Sequence, residues 1–388
     1  MGRGTFMLKQ GDLLIRGGTV VDPSNNFIGK KNILVCDNKI VDIAEDDEIQ
    51  VEEIIDAEGY IVTPGLIDNH THLYEGGTEL GFTPDISLLP MGVTTAVDAG
   101  SAGSATFEAF MQSVILRSKM RIFCNINVSS MGQIAEYCPE EIDPKNYNVS
   151  RLKYVIDKFP QHIRGLKIRC DKNVVKELGM EPLKAAIALG NELECRVVVH
   201  TTNPPSEISE VADIMRTGDI FCHCYHGQGS SIIDEQGNVK ASILKARQRG
   251  VLFDSADARG NHVYRVIKPA IAQGFIPDII STDLTQGSLF GKMVYGLPLV
   301  VSKYLSLGLS ILDVFRACTT IPAQVLGMEG EIGTLSAGAL ADVAIFTLKD
   351  KKFTFENRAD EIYEGGKLLL PKVTILNGKI VYRQLDTM

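Results

Sequence analysis

Four of the seven histidines in this chain lie at the ends of short apolar runs that are typical of buried strands. His70 and His72 are separated by one residue, and in a strand two residues with this spacing point to the same face. His200 and His223 each directly follow a later run. Neutral imidazole nitrogens are common ligands of Zn²⁺ in proteins. The histidine positions therefore indicate a site where several imidazoles could hold a metal ion.

A lysine and an aspartate extend this pattern. Lys167 lies in the run Gly165–Ile168, and Asp283 follows the run Asp278–Ile280. Taken singly, a histidine at a strand end is more often a hydrogen-bonded structural residue, and an aspartate there usually forms a cap or a turn. The combination His-x-His, Lys, His, His and Asp, in this order along successive strands, favours a metal centre over six separate structural roles.

Eight apolar runs rich in β-branched residues carry or precede these side chains, and segments of helical character separate most of them. The runs are Gly65–Asp68, Gly92–Val97, Arg121–Val128, Gly165–Ile168, Cys195–Val199, Ile220–Cys222, Gly250–Phe253 and Asp278–Ile280. Parallel strands buried on both faces show this pattern. Active sites of (β/α)₈ barrels lie at the carboxyl ends of the strands, where the metal-capable residues fall here. We therefore predict an α/β fold with a TIM barrel over residues 63–327.

The two ends of the chain have a different sequence pattern, in which short strand-like segments are separated by turn residues. Residues 1–62 and 328–388 are both of this kind, and Asn377-Gly378 is a hairpin signal between two apolar segments. We predict that both ends build one small β-sandwich domain, into which the barrel is inserted.

Composition restricts the partners and the location. The chain has 39 basic and 48 acidic residues and a net charge of −9, without a dense basic cluster, so we expect no nucleic-acid partner. No stretch approaches the ~20 apolar residues of a membrane-spanning helix, and residues 1–9 lack the apolar centre of a signal peptide. We therefore expect a cytoplasmic protein without membrane association, whose eight cysteines are buried, reduced thiols.

Two motifs in this setting resemble a known family. The segment 64–72, Pro-Gly-Leu-Ile-Asp-Asn-His-Thr-His, resembles the entry motif of the amidohydrolase superfamily, in the branch that contains dihydroorotases, hydantoinases and related deacetylases. Gly165-Leu-Lys167 resembles the strand of that branch that supplies a carboxylated lysine. The resemblance covers the whole chain and implies the same barrel and small β-domain.

The resemblance also implies roles for the ligands. His70 and His72 would hold the more buried of two divalent metal ions, and His200 and His223 the more exposed one. A CO₂-derived carbamate on Lys167 would bridge both ions. Burial favours the neutral form of a lysine amine, which can add CO₂ and so become an oxygen ligand. Zn²⁺ is the expected metal, although Mn²⁺, Fe²⁺, Co²⁺ and Ni²⁺ accept the same ligands.

Asp283 would lie beside the more buried metal and the bridging hydroxide. Two metals that share a water lower its pKa from 15.7 towards ~7, and one of them polarises the substrate carbonyl. Asp283 is then the candidate general acid/base, which accepts the hydroxide proton and passes it to the leaving group. The expected reaction is hydrolysis of an amide or ester bond by a metal-bridged hydroxide.

Three further residues are candidates for substrate binding. Arg169 lies two residues after Lys167, on the same face of the strand, and could pair with a substrate carboxylate or, equally, with a loop acid. His226 could donate a hydrogen bond to the substrate or simply face solvent in its loop. His262, in the loop after the seventh strand, could reach the substrate or tie the loop down.

The function we expect is hydrolysis of an acyl bond, such as an acetyl amide or ester, in a small carboxylate-bearing metabolite. Cyclic-amide hydrolysis, as in dihydroorotases and hydantoinases, is the alternative. Dihydroorotases typically carry an arginine two residues after the His-x-His motif, where this chain has Tyr74. Superfamily deaminases and sugar-phosphate deacetylases generally lack the lysine found here as Lys167. An inactive scaffold relative is a third hypothesis, and family analogy allows a homo-oligomer.

Overall fold

The computed structural model describes residues 8–43, 48–135, 137–258, 260–291 and 293–387. The strands are β1 (Leu8–Arg16), β2 (Thr19–Asp22), β3 (Phe27–Lys30), β4 (Ile33–Cys36), β5 (Lys39–Val41), β6 (Glu48–Asp56), β7 (Ile61–Pro64), β8 (Leu66–Thr71), β9 (Val93–Asp98), β10 (Arg121–Asn127), β11 (Ile163–Arg169), β12 (Arg196–His200), β13 (Ile220–Cys222), β14 (Leu252–Asp254), β15 (Val343–Glu356), β16 (Ile362–Leu376) and β17 (Lys379–Arg383). The first seven residues, part of the segment used to predict location, lie outside this description.

The α-helices are α1 (Pro84–Leu88), α2 (Phe107–Ser113), α3 (Val149–Lys158), α4 (Lys172–Val175), α5 (Glu181–Glu192), α6 (Ile208–Ile214), α7 (Ala241–Gln248), α8 (Tyr264–Ala272), α9 (Gln286–Leu289), α10 (Leu297–Ser306), α11 (Ile311–Ala317) and α12 (Thr320–Val325). Short 3₁₀ turns lie at Pro23–Asn25, Leu89–Met91, Ile115–Arg117, Pro144–Asn146, Lys176–Leu178 and Leu385–Thr387. Within the described ranges, no helix combines the length and the apolar character needed to cross a membrane.

Seven parallel strands form the barrel sheet, in the spatial order β14-β13-β12-β11-β10-β9-β8, so each strand lies beside its sequence neighbours. All residues of β8 and β9 are buried, as expected for strands covered on both faces. Arg169 of β11 pairs with His200 of β12, and His200 pairs with Cys222 of β13. The carboxyl ends of these strands therefore meet at one rim of a TIM-type barrel.

The eighth predicted strand, 278–280, does not form a regular strand in this structure. It lies in a segment that makes isolated parallel bridges on both sides: Ile279 pairs with Asp254 of β14, and Leu284 pairs with Thr71 of β8. The segment therefore occupies the position between the last and first strands and closes the ring, although it lacks a continuous ladder.

Two features explain why this segment is irregular. The backbone N–H of Ile280 donates to the carbonyl of Ala317 outside the sheet, at 2.9 Å, and Asp283 has a left-handed φ of 52° that turns the chain. Side-chain bonds hold the segment instead. The carboxylate of Asp68 in β8 accepts hydrogen bonds from the N–H and the hydroxyl of Thr282, at 3.1 and 2.7 Å.

Strands from both chain ends form two further sheets. One has the order β5-β4-β1-β6, and the other has the order β17-β16-β15-β7-β2-β3. Their inner faces share one apolar core, to which Leu13 and Val35 contribute from the first sheet and Ile345 and Ile375 from the second. This is the predicted β-sandwich, and the predicted turn at 377–378 connects β16 to β17. The predicted domain boundaries stay predictions.

The hairpin of β15 and β16 is much longer than the sequence indicated. We predicted only short strands in this part of the chain, whereas β15 continues to Glu356 and the chain returns as β16 from Ile362. The outer part of this hairpin packs along the barrel, where the Tyr363 hydroxyl donates to the carbonyl of Ser306 at 2.5 Å. The hairpin therefore extends from the sandwich to the surface of the barrel.

All eight cysteines are free thiols. Five are buried, Cys36 and Cys195 are half-buried, and Cys138 is exposed. The expectation of buried thiols is therefore wrong for Cys138, which lies in the loop after β10 rather than in a strand.

Candidate metal centre

The six predicted ligands line one cavity of about 500 Å³ at the rim of the barrel. They are His70, His72, Lys167, His200, His223 and Asp283. Five of them are at the end of a barrel strand or within two residues of it, and the sixth lies in the segment that closes the ring. The strand order of the fold thus brings together side chains that are as much as 213 positions apart, from 70 to 283, in the sequence.

Asp283 lies among three of the imidazoles. One carboxylate oxygen, Oδ1, is 3.1 Å from Nε2 of His72 and 3.6 Å from Nε2 of His70. The other, Oδ2, is 3.9 Å from Nε2 of His223. The Lys167 amine, Nζ, is 3.3 Å from Nε2 of His70. Nitrogen and oxygen atoms at these separations can converge on metal ions.

The rings are oriented by hydrogen bonds on their far sides. Nδ1 of His223 donates to the carbonyl of Ala256 at 2.8 Å, and Nδ1 of His72 is 2.9 Å from the Ser101 hydroxyl. Because a carbonyl can only accept, the bond to Ala256 places the proton of His223 on Nδ1 and leaves Nε2 free to bind a metal. Nε2 of His223 and Nε2 of His200 are buried, and neither has a hydrogen-bond partner in the described part of the chain. Two buried nitrogens without a partner fit a metal site well.

The protonation states also suit metal binding. Burial lowers the pKa of His223 to about 3 and holds the pKa values of His70 and His200 well below their ordinary value, so these imidazoles are neutral. Burial alone would raise the pKa of Asp283, but the facing imidazoles of His70 and His72 keep it below its usual value. Neutral imidazoles and an ionised carboxylate are the forms that bind metals.

Two of these residues have unusual backbone conformations. His223 and Asp283 lie in the left-handed region, with φ values of 62° and 52°. This conformation is uncommon for residues with a side chain, and strained residues of this kind cluster at functional sites. His223 directly follows β13, and Asp283 lies in the irregular segment that closes the ring; both side chains line the cavity.

Arg169 lines the same cavity, as predicted, but it has a protein partner. Its guanidinium donates to Oε1 of Glu140 at 2.8 Å. The side chain of Glu140 is 3% exposed and also accepts a hydrogen bond from the Asn127 side chain at 2.8 Å. The alternative that Arg169 pairs with a loop acid therefore describes this structure.

The structure does not bring His226 and His262 to the cavity surface. Both are completely buried, and neither belongs to the cavity lining. Neither ring nitrogen of His226 has a hydrogen-bond partner among the described residues. Nδ1 of His262 lies 2.8 Å from Oδ1 of Asp257, and this carboxylate also forms an ion pair with Lys303. His262 thus ties down its loop, while the neighbouring Asn261 faces the cavity.

The pair of Asp257 and Lys303 gives a stability prediction, because both side chains are completely buried. Replacing Lys303 with methionine would leave the carboxylate without its cation, and breaking a buried pair in this way costs about 3 kcal/mol of unfolding free energy. Urea denaturation measures this loss. The double variant Lys303→Met/Asp257→Asn should recover part of it. A single variant as stable as the wild type would contradict the prediction.

Sequence reasoning missed Arg358 and Ala359, which line the cavity from the turn between β15 and β16. This turn comes after β15, far along the chain from the barrel strands, in a stretch assigned to the β-domain alone. A signal was present: the strand-like segment 343–356 is too long for a small sandwich and is followed by the turn-forming sequence Asn-Arg-Ala-Asp.

Comparison with known proteins shows what this site and fold resemble. The profile of the amidohydrolase family matches residues 61–381. A deacetylase of Agrobacterium fabrum is 31% identical over 328 residues, which cover 84% of this chain and 80% of that protein. A solved adenine deaminase has a TM-score of 0.87 and 27% identity, covering 96% of this chain and 100% of that one. A solved dihydroorotase has a TM-score of 0.83 and 28% identity, covering 96% and 98%.

These matches confirm the resemblance that the sequence suggested, and the two solved structures cover 96% of this chain. The barrel with its β-sandwich and the cluster of candidate metal ligands at the rim agree with that assignment. The chain therefore belongs to the amidohydrolase family and is a hydrolase.

Proposed function

We propose that this protein is a binuclear metal-dependent hydrolase that removes an acyl group, such as acetyl, from a small carboxylate-bearing amide or ester. The observation that carries the proposal is the convergence of four imidazoles, Lys167 and Asp283 on one cavity. The Nε2 atoms of His200 and His223 are buried there and have no hydrogen-bond partner among the described residues. The relation to a deacetylase supports the choice of an acyl substrate.

The ligands divide between two ions as the resemblance implies. His70 and His72 would hold one ion, His200 and His223 the other, and a carbamate on Lys167 would connect them. When bound, two divalent ions such as Zn²⁺ lower the pKa of a shared water towards ~7 and polarise the substrate carbonyl.

Asp283 would move the proton in this reaction. Its carboxylate is ionised and is held beside His72, so it can accept a proton from the attacking water at Oδ1 or Oδ2. It would then pass that proton to the leaving amine or alkoxide, which otherwise departs as a strong base. The barrel wall keeps the other side of the carboxylate away from bulk water, because the side chain is only 14% exposed.

Cyclic-amide hydrolysis is the second candidate, because the fold is close to that of a dihydroorotase. Tyr74 occupies the place where dihydroorotases typically carry their carboxylate-binding arginine, and its side chain is buried. An open-chain substrate therefore fits this chain better. Deaminases of the superfamily generally lack a lysine at the position of Lys167. The presence of Lys167 therefore disfavours a deaminase activity, in spite of the likeness to an adenine deaminase.

A substrate screen combined with metal analysis tests the proposal. The purified protein, stripped with a chelator and reloaded with Zn²⁺ and bicarbonate, is assayed with N-acetyl and O-acetyl acids, dihydroorotate, hydantoins and adenine. We expect about two metal ions per chain and turnover of an open-chain acetyl compound. Turnover of rings alone would favour the second candidate. A protein without metal and without turnover would be a scaffold relative, and the proposal would be wrong.

A further inference from the structure

The turn between β15 and β16 forms part of the wall of the cavity that contains the candidate metal ligands. Arg358 and Ala359 of this turn are lining residues, although their strands belong to the sheet of the β-sandwich. A residue from outside the barrel strands thus faces the same space as the residues that would hold the metals. Its position is set by the long hairpin and not by a barrel loop.

The turn is fixed to the barrel at both ends. The side chain of Asn357, which is buried, donates to the carbonyl of His262 at 2.9 Å and accepts from the N–H of Glu361 at 3.0 Å. The carboxylate of Glu361 in turn accepts from the N–H of Tyr264 at 2.5 Å and from the Arg265 guanidinium at 3.0 Å. Arg358 therefore projects from a backbone that is already ordered, which lowers the entropy lost when it binds a ligand.

Three described arginines line the cavity, and their charges are not equally available. Arg169 pairs with Glu140 at 2.8 Å, and Arg265 pairs with Glu361 at 3.0 Å. Arg358 has no carboxylate partner within the described part of the chain and is exposed to the cavity. Among the described arginines of the lining, Arg358 is therefore the one whose positive charge has no carboxylate partner.

The ion pairs of the three arginines also argue against Arg169 as the residue that binds a substrate anion. Its partner Glu140 is almost completely buried, so a substrate that drew the guanidinium away would leave a buried carboxylate without its cation. Leaving a buried carboxylate unpaired costs stability, whereas Arg358 gives up no ion pair with a described residue when it binds an anion. A guanidinium also presents two parallel N–H groups that match the two oxygens of a carboxylate.

We propose that Arg358 binds the carboxylate of the substrate and so selects acyl derivatives of acids over neutral ones. This inference rests on the proposed function for the acyl group of the substrate, but the preference for an anion follows from the cavity charges alone. The hairpin would then act as a specificity element: the barrel supplies the reacting centre, and the sandwich domain supplies the charge that recognises the substrate.

Matched pairs of ligands test this proposal directly. A panel of N-acetyl amino acids and the corresponding N-acetyl amino acid carboxamides is titrated against the full-length, metal-loaded protein. Ligand-dependent shifts of Tm give apparent Kd values, and the same pairs give KM and kcat wherever they are turned over. The variants are Arg358→Gln, Arg358→Lys and Arg169→Gln. Arg117→Gln, which removes an exposed arginine before β10 at the opposite end of the barrel, controls for the change in net charge.

We expect the wild type to bind at least one acid about tenfold more tightly than its carboxamide, equivalent to ~1.4 kcal/mol. Arg358→Gln should bring the two Kd values within about twofold, and Arg358→Lys should lie between the wild type and Arg358→Gln because it keeps the charge and loses the paired N–H groups. Arg117→Gln should behave as the wild type.

Two results would overturn the proposal: a wild type that does not prefer any acid, or a preference that survives in Arg358→Gln. If the preference disappears in Arg169→Gln instead, then Arg169 is the carboxylate-binding residue. Failure of the proposed function can be distinguished from failure of this proposal. In that case the protein would have no metal and no turnover, but it would still prefer acids in a manner that depends on Arg358.

Discussion

Asp283→Asn is expected to lower kcat by about 10³-fold while the fold and the metal content are retained, because a positioned acid/base contributes ~10²–10⁴-fold. Asparagine has the same shape but cannot carry a proton between the water and the leaving group. It also tolerates the left-handed φ of 52° at this position better than most residues do. The backbone N–H of residue 283, which donates to the carbonyl of His70 at 2.8 Å, is unchanged.

Asp37→Asn is a matched control for this variant. Asp37 is also an aspartate in the left-handed region, with a φ of 55°, but it is an exposed residue in the turn between β4 and β5 of the sandwich. The Asp37→Asn variant should keep the wild-type kcat. The two variants are compared by their kcat, their metal content and their Tm. A kcat near that of the wild type in Asp283→Asn would remove Asp283 from the proton transfer.

Lys167→Met is expected to reduce the metal content from about two ions per chain to one or none, and to lower kcat by more than about 10³-fold. The Lys167 side chain is 1% exposed, and its amine has one described hydrogen-bond contact, Nε2 of His70 at 3.3 Å. No carboxylate of the described residues forms an ion pair with it. Methionine matches its length, so the barrel should fold, but the bridging oxygen ligand would be lost.

Lys303→Met provides the contrast, because Lys303 is a second completely buried lysine that faces Asp257 instead of the candidate ligands. That variant should lose stability and keep its metal, whereas Lys167→Met should lose metal and keep most of its stability. Reloading the stripped wild type with Zn²⁺ should also recover more turnover with bicarbonate than in CO₂-depleted buffer. A Lys167→Met protein with two ions per chain and wild-type turnover would contradict the role of the carbamate.

The fold and the candidate ligands were accessible from the sequence because both depend on short-range patterns. Buried parallel strands appear as continuous apolar runs, and the polar residues that end them stand out against that background. His70 and His72 are an example: their spacing alone put both rings on one face of β8, and in the structure both contact Asp283. The eighth strand was less regular than expected because its backbone bonds partly leave the sheet.

The residues around the ligands were harder to predict, because loop residues have no fixed period that determines where their side chains point. His262 follows β14 at the correct rim but turns into the protein to meet Asp257, and its neighbour Asn261 faces the cavity instead. Arg358 reaches the cavity through a hairpin that begins in another sheet. Such a contact is set by packing between domains, which a sequence pattern does not specify.

The most direct test of the account is a crystal structure of the Zn²⁺-loaded, bicarbonate-treated protein, with anomalous diffraction measured above and below the zinc absorption edge. The account predicts two anomalous peaks in the cavity, one beside His70 and His72 and the other beside His200 and His223. It also predicts electron density for a carbamate that extends from Nζ of Lys167 between the two peaks. A cavity without anomalous peaks, or a single peak beside an unmodified Lys167, would contradict the binuclear centre on which the proposed function depends.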